Sequence, residues 1–406
     1  MLENCIQVDC NISKEKLTSF IQDALDKVHG QHFEAEALRI TLYIEGLKKI
    51  KLRGQLKSLL VDVPLKFSFR KPAGLFSIEG EGSLLLHLEL CLQIDQTIGL
   101  KIKTTLLGHE WIDRPKLALG TLNVPAESLS NYVIRYMKES LLKKMDVKVN
   151  ESIHLKELIY NYINQFATNY LLLKNPNLYL NAELKNIYLG ELTDNEDQIY
   201  CCVWLHIDSK ISDQPIHFIT EKSTLIHWKD DHTFSKYQNL ELEMSYLGLS
   251  KWITQEINGI EIGGKQYDLE SVHIRYTHLL EIMASVNEPF KAIISITGQP
   301  YFDKNEQTIY VDNISVDVNA ASLIYKLSSP IIEQVITSRL SDALPFRFTK
   351  YLQLLSQDIP SIKLLDGEVE LQPAISQVTI EQINFISQKV IGLILIRDPI
   401  LKLSLL

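Results

Sequence analysis

Apolar residues recur along this chain with two different periods, and the changes between them outline its elements. Ile6 and Val8 alternate with polar neighbours as a short strand, and then Leu17, Phe20, Ile21, Ala24, Leu25 and Val28 fall at the three-and-four spacing of one helix face. Ser13 is placed to cap that helix, Ile12 and Leu17 have the spacing of a hydrophobic staple, and Gly30 supplies a stop. From residue 38 to residue 106 the period becomes two. Leu38, Ile40, Leu42 and Ile44 share one parity, as do Val61, Val63, Leu65, Phe67 and Phe69, which predicts half-buried strands. The longest such run is 76–94, where Phe76, Ile78, Leu84, Leu86, Leu88, Leu90, Leu92 and Ile94 lie on one face and Gly80 and Gly82 fill the gaps. At about 3.3 Å per residue it would extend roughly 60 Å, so the two glycines predict a bend or bulge in a strongly curved strand.

The stretch 129–172 returns to the helical period. Leu129, Val133, Met137 and Leu141 form a narrow stripe at steps of four, and Leu155, Leu158, Ile159, Tyr162, Ile163, Phe166 and Tyr170 form a wider one. Two helices meeting near Asp146 are predicted, the second capped by Ser152, roughly 27 Å long and ended by Lys174, Asn175 and Pro176. Alternation then resumes at Leu178, Leu180, Ala182 and Leu184 and at Cys201, Val203, Leu205 and Ile207. Gly263-Gly264 reads as a two-residue hairpin, and strands are predicted over 292–297 and 309–318. Another helical pattern runs through Ile324, Leu327, Ile331, Val335, Ile336 and Leu340 to Pro345, a short amphipathic piece covers 346–355, and strands close the chain around Val369, Leu371, Ile380 and 390–396. The order of helix, antiparallel strands and helix occurs twice, which places two units at 1–150 and 151–406.

Composition narrows the class. A length of 406 residues suits two domains, and 46% hydrophobic with 22% charged residues is ordinary for a globular protein. No run approaches the eighteen or so apolar residues of a membrane span, and the start lacks a basic and apolar leader. As written, the chain stays in the cytoplasm; removal of an export signal would place it in the cell envelope. Five cysteines, an odd number without paired spacing, predict reduced thiols. The net charge of −9 is uneven: residues 1–150 hold 21 basic and 18 acidic side chains, or +3, leaving −12 for the remainder. That balance excludes nucleic acid as the main partner.

Catalytic and metal-binding patterns are sparse. The chain has no nucleophile elbow, phosphate-binding loop or HExxH motif, and Gly80-Glu81-Gly82 lacks the rest of a dinucleotide fingerprint, so no enzyme, cofactor or metal is expected. His227, Asp230, Asp231 and His232 are suitable donors for a transition metal but read as a polar loop. His29 and His32 flank a helix end, and Asp194-Asn195-Glu196-Asp197 reads as a solvated turn. Residues 48–71 carry Lys48, Lys49, Lys51, Arg53, Lys57, Lys66, Arg70 and Lys71 against Asp62 alone. This patch either docks on anionic headgroups or guards the wet face of a strand. Lys143, Lys144 and Lys148 complement a helix dipole.

Two segments carry a family resemblance: Gly108-His109-Glu110-Trp111-Ile112-Asp113-Arg114-Pro115 with Leu117, Leu119 and Gly120, and Gly298-Gln299-Pro300-Tyr301-Phe302-Asp303 with Ile309-Tyr310-Val311-Asp312-Asn313-Ile314. Through them the chain resembles the bacterial family called domain of unknown function 4403, related to the tubular lipid-binding (TULIP) superfamily. The resemblance implies an α+β fold of two TULIP-like units, each with long helices packed against a strongly curved antiparallel β-sheet. It also implies an apolar groove for a lipid or another hydrophobic small molecule, bound or transferred without chemistry. The lining expected from the stripes is Leu84, Leu86, Leu88, Leu90, Leu92, Ile159, Ile163 and Phe166, with peripheral membrane contact through Lys48, Lys49, Lys51 and Arg53. The alternative is a structural or interaction module of a bacterial cell-envelope assembly, with the same positions filling a solid core.

Overall fold

The computed structural model describes residues 4–26, 32–35, 40–47, 50–73, 76–95, 99–119, 122–125, 134, 142–143, 146–147, 150, 170–174, 177–216, 225–230, 232–257, 261–262, 265–266, 268–288, 291–320, 345–349, 352–353, 362–364 and 369–405. Among them the protein is mostly β. The expected α+β fold with long helices is overturned: the two named helices, α1 (Lys14–Asp26) and α2 (Tyr246–Ile257), have 13 and 12 residues, whereas the strands Phe76–Asp95 and Gly99–Leu119 have 20 and 21. Neither helix is long and apolar enough to cross a membrane. Of the central helical stretch, residues 134, 142–143, 146–147 and 150 are helical. Its expected end is a strand, since Tyr170–Lys174 pairs antiparallel with Asn177–Asn195. A short apolar run such as Tyr170-Leu171-Leu172-Leu173 fits either period, and here cross-strand pairing decides it. The helical pattern over 324–340 lies outside the described residues.

Among the described residues, three sheets of five or more strands are present. The first, of seven strands, runs His32–Ala35, Ile40–Leu47, Ser58–Ala73, Phe76–Asp95, Gly99–Leu119 and Leu122–Pro125, with Lys51–Gln55 also paired to Ser58–Ala73. The second has eleven strands and contains both ends of the chain. Cys5–Ser13 lies antiparallel to Gln198–Ser212 and parallel to Ile400–Leu405. The third is an antiparallel meander of Asp268–Tyr276, Leu280–Glu288, Ala292–Asp303, Thr308–Ala320 and Phe346–Arg347. The last of these begins where a short amphipathic piece was expected.

α1 begins where Ser13 predicts and sends Leu17 and Ile21 into the apolar cluster of the first sheet. α2 carries no strong sequence signal. Its start is made by Ser245, whose hydroxyl accepts the Gly248 N–H at 3.0 Å and donates to Asp213. A Cβ on Gly248 would sit 2.0 Å from the Asp213 carboxylate, so a larger residue there would displace the group that accepts the Ser245 hydroxyl.

The two halves repeat one device at a sheet edge. Asp146 accepts the Thr104 N–H and Asn150 accepts the Ile102 N–H, both at 2.7 Å; Asn150 also donates to the Ile102 carbonyl at 2.8 Å. In the second half, Ser250 accepts the Ile274 N–H at 3.0 Å and Thr254 accepts the Val272 N–H at 3.1 Å. In each case side chains four apart on a helix meet alternate N–H groups of a strand, with the helix running opposite to it. An edge strand's outward amides need such partners once water is excluded. Asn150→Ala leaves both Ile102 backbone groups without this partner and is expected to cost about 1–3 kcal/mol, seen as a lower denaturation midpoint at unchanged slope. An unchanged midpoint would show that the edge does not depend on the side chain.

Candidate functional site

The strands Ser58–Ala73, Phe76–Asp95 and Gly99–Leu119 build one continuous apolar face. Antiparallel register sets Leu59 opposite Leu90, Val61 opposite Leu88, Val63 opposite Leu86 and Leu65 opposite Leu84, and these eight side chains are buried. On the other side, Leu92 faces Ile102, Leu88 faces Leu106 and Leu84 faces Trp111. Phe67 stands opposite Gly82 and places its ring 6.1 Å from that of Trp111, so an aromatic side chain covers the position where the glycine has none. The register between Phe76–Asp95 and Gly99–Leu119 shifts between Glu81 and Ser83, between Ser83 and Leu84, and again between His87 and Leu88, each time with the extra residue in Gly99–Leu119. The glycine-bearing strand pairs with Ser58–Ala73 without a shift, so the expected bulge falls in its partner. Such shifts sharpen the local twist and bend of a strand.

Leu84, Leu86, Leu88, Leu90 and Leu92 therefore share one face, with Leu92 half-buried at its margin. Ile159, Ile163 and Phe166 lie outside the described residues. Sequence reasoning did not assign to this cluster Ile50 and Leu52 from a short edge strand, or Leu192, Ile199 and Cys201 from the central sheet. Leu192, Ile199 and Cys201 are distant in sequence, and no periodicity within one element announces any of the five.

The central sheet reaches the first sheet through the hairpin between Asn177–Asn195 and Gln198–Ser212. Leu192 donates its N–H to the Leu56 carbonyl, Asp194 accepts the Gly54 N–H at 3.1 Å, and the Lys14 ammonium lies 2.9 Å from the Asp194 carboxylate. The expected solvated turn is thus a docking point. Partial burial works against the Asp194 charge, but the Lys14 and Gly54 hydrogen bonds and the charges of Lys14 and Arg53 outweigh it and hold the pKa below the ordinary carboxylate value. A depressed folded-state pKa contributes stability above the unfolded value, and that contribution is lost as pH falls through the folded one. Asp194→Asn is expected to flatten the fall in melting temperature from about pH 4 downwards, where the ordinary carboxylate begins to protonate. A fall as steep as in the parent protein would contradict this role.

The outer face of the first sheet is polar and largely charge-compensated. Arg70 pairs with Glu79 at 3.1 Å, Lys66 with Glu81 at 3.8 Å, Arg53 with Asp62 at 3.6 Å, and Lys57 with Asp230. His87 bonds Asp62 at 2.8 Å. The basic run thus matches the wet face of a strand; Lys51 forms no ion pair among the described residues, Lys48 and Lys49 lie outside them, and the Lys71 side chain is not among those described.

Other candidate chemistry resolves into packing. Tyr188 stacks on His227 and meets His232 and Phe234 edge-on, Trp204 stacks on Phe234, and the Lys229 ammonium sits 4.1 Å from the Trp204 ring centre. No group of three metal-ligating side chains occurs among the described residues. The Tyr200 hydroxyl lies 2.6 Å from the Cys202 sulfur and 2.9 Å from Asp9. Burial raises the Cys202 pKa, and Asp9 adds to the rise against the opposing effects of Tyr200 and Lys229, whereas a nucleophilic thiolate needs a net depression. Burial likewise pushes Cys10 up to about 12 and Cys201 up to about 11.

Both segments that carry the family resemblance lie at irregularities in the strands. Gly108 faces His87 at a register shift beside the exposed Leu107. Gly298 lies at a shift between Thr297 and Gln299, where a Cβ would meet the Val311 side chain at 2.4 Å, and Asn313 across from it has a positive φ of 53°. A family model described as "Domain of unknown function (DUF4403)" matches residues 6–394. No curated protein matches. Among solved structures, the chain is similar to a lipopolysaccharide binding protein at 9% identity and a TM-score of 0.33, covering 100% of both chains. It is also similar to P47 from Clostridium botulinum A2 at 10% identity and a TM-score of 0.25, covering 96% of both. Likeness at these scores is too shallow to transfer a ligand.

Proposed function

The chain belongs to the DUF4403 family, and we propose that it binds or transfers a lipid or another hydrophobic ligand, without catalysis, against the apolar face of its first sheet. The observation that carries this reading is the length and uniformity of the stripe. Over residues 59–67 and 82–90 the inward side chains are aliphatic or aromatic, apart from the paired Gly82, for roughly 30 Å at about 3.3 Å per residue. A bilayer's hydrocarbon core of about 30 Å is filled by two opposed layers of tails, so a stripe of this length exceeds one extended tail. Leucine predominates on one strand, and its flexible branched end adapts to chains of varying shape. Binding would draw on burial of apolar area at about 25 cal/mol per Å², with few polar contacts and broad selectivity.

Leu88 lies at the middle of the stripe and is 1% exposed. Leu88→Trp is expected to abolish uptake of a fluorescent fatty acid while circular dichroism still reports the native fold, with an overpacking cost of about 1–3 kcal/mol. Unchanged uptake by the folded variant would remove Leu88 from the lining. A solid core, as in an interaction module, makes a different prediction: Leu88→Ala then costs about 2–5 kcal/mol and added lipid restores none of it.

A further inference from the structure

A cleft of about 480 Å³ opens beside the stripe and is lined by Lys14, Lys51, Leu52, Arg53 and Asp62. Three of its five lining residues are cations. Asp62 is the single lining carboxylate, and it is already engaged by His87 at 2.8 Å and by Arg53 at 3.6 Å. Lys14 is held by Asp194, outside the lining set, while Lys51 forms no ion pair among the described residues. Arg53 meets Asp62 through one terminal nitrogen, and its side chain is 61% exposed, so donors remain for a further acceptor. Cations gathered in a concave site focus positive potential more strongly than the same charges spread over a flat surface.

Leu52 also lines the cleft; it alternates with Lys51 and Arg53 along its strand, so its side chain is buried in the apolar cluster while the two cations stand exposed at the cleft. We propose that this cleft binds a phosphate ester, with Lys51 and Arg53 as its principal donors and Lys14 as a supporting charge. The volume exceeds that of a bare ion and falls within the range of small-molecule sites. Two sources share this chemistry, a phospholipid headgroup and a soluble phosphate ester. The choice of the headgroup rests on the lipid-binding reading, whereas the site itself does not.

Titration calorimetry of the full chain with monomeric dihexanoylphosphatidylglycerol, dihexanoylphosphatidylcholine and glycerol 3-phosphate separates these possibilities. The expected result is that the anionic lipid binds more tightly than the zwitterionic one, and that affinity falls as salt rises. Lys51→Gln with Arg53→Gln should weaken the anionic lipid about thirtyfold. Asp62→Asn, which removes the opposing charge, should strengthen it; melting curves check that each variant is folded. If the folded double variant binds the anionic lipid as the parent does, the headgroup site is overturned and the lipid reading stands. If glycerol 3-phosphate binds in a Lys51-dependent way and neither lipid does, the phosphate-ester site stands and its lipid source is overturned. If none of the three ligands binds, the site is overturned.

Discussion

A strand of twenty residues with one apolar parity must have that parity covered along its whole length, and the architecture of this protein follows from that requirement. Phe76–Asp95 cannot be covered by one short helix. Its cover among the described residues comes from three directions: Leu17 and Ile21 of α1, Leu142 of the central helical stretch, and Leu192, Ile199 and Cys201 of the central sheet. The hairpin that brings the last three is held at its tip by backbone hydrogen bonds and by Lys14 on Asp194. Removing apolar area from water drives this assembly, while the polar contacts set its register.

The same long strands create a second demand, because their free edges carry unpaired amides. Each half answers with a helix whose polar side chains, four residues apart, meet alternate N–H groups of the strand. Asp146 and Asn150 do this for Thr104 and Ile102, and Ser250 and Thr254 for Ile274 and Val272. The same contact occurs twice, with different residues. In each case the contact puts a helix beside the edge of a sheet.

Period-two alternation made the strands legible, but the bulges expected at Gly80 and Gly82 lie instead in the partner strand Gly99–Leu119, whose apolar and polar positions do not announce them. The five leucines of 84–92 are on one face as read. α2 was not legible: its cap depends on Asp213, more than thirty residues upstream, and Gly248 looks like a helix breaker until that carboxylate is in place. Tyr170–Lys174 was misread because its apolar run is too short to show a period. The cleft was only half visible, since Lys51 and Arg53 stand in a basic run but Lys14 reaches them through the fold. The family segments around Gly108 and Gly298 lie at register shifts of their strands.

The account centres on an apolar face that takes a ligand, and native mass spectrometry of the purified protein, with organic extraction of whatever is released, tests it most directly. A lipid carried at near-stoichiometric amount is the predicted result. A clean apo mass, unchanged after incubation with mixed phospholipids, would contradict it and leave a solidly packed sheet with a protein partner to be found.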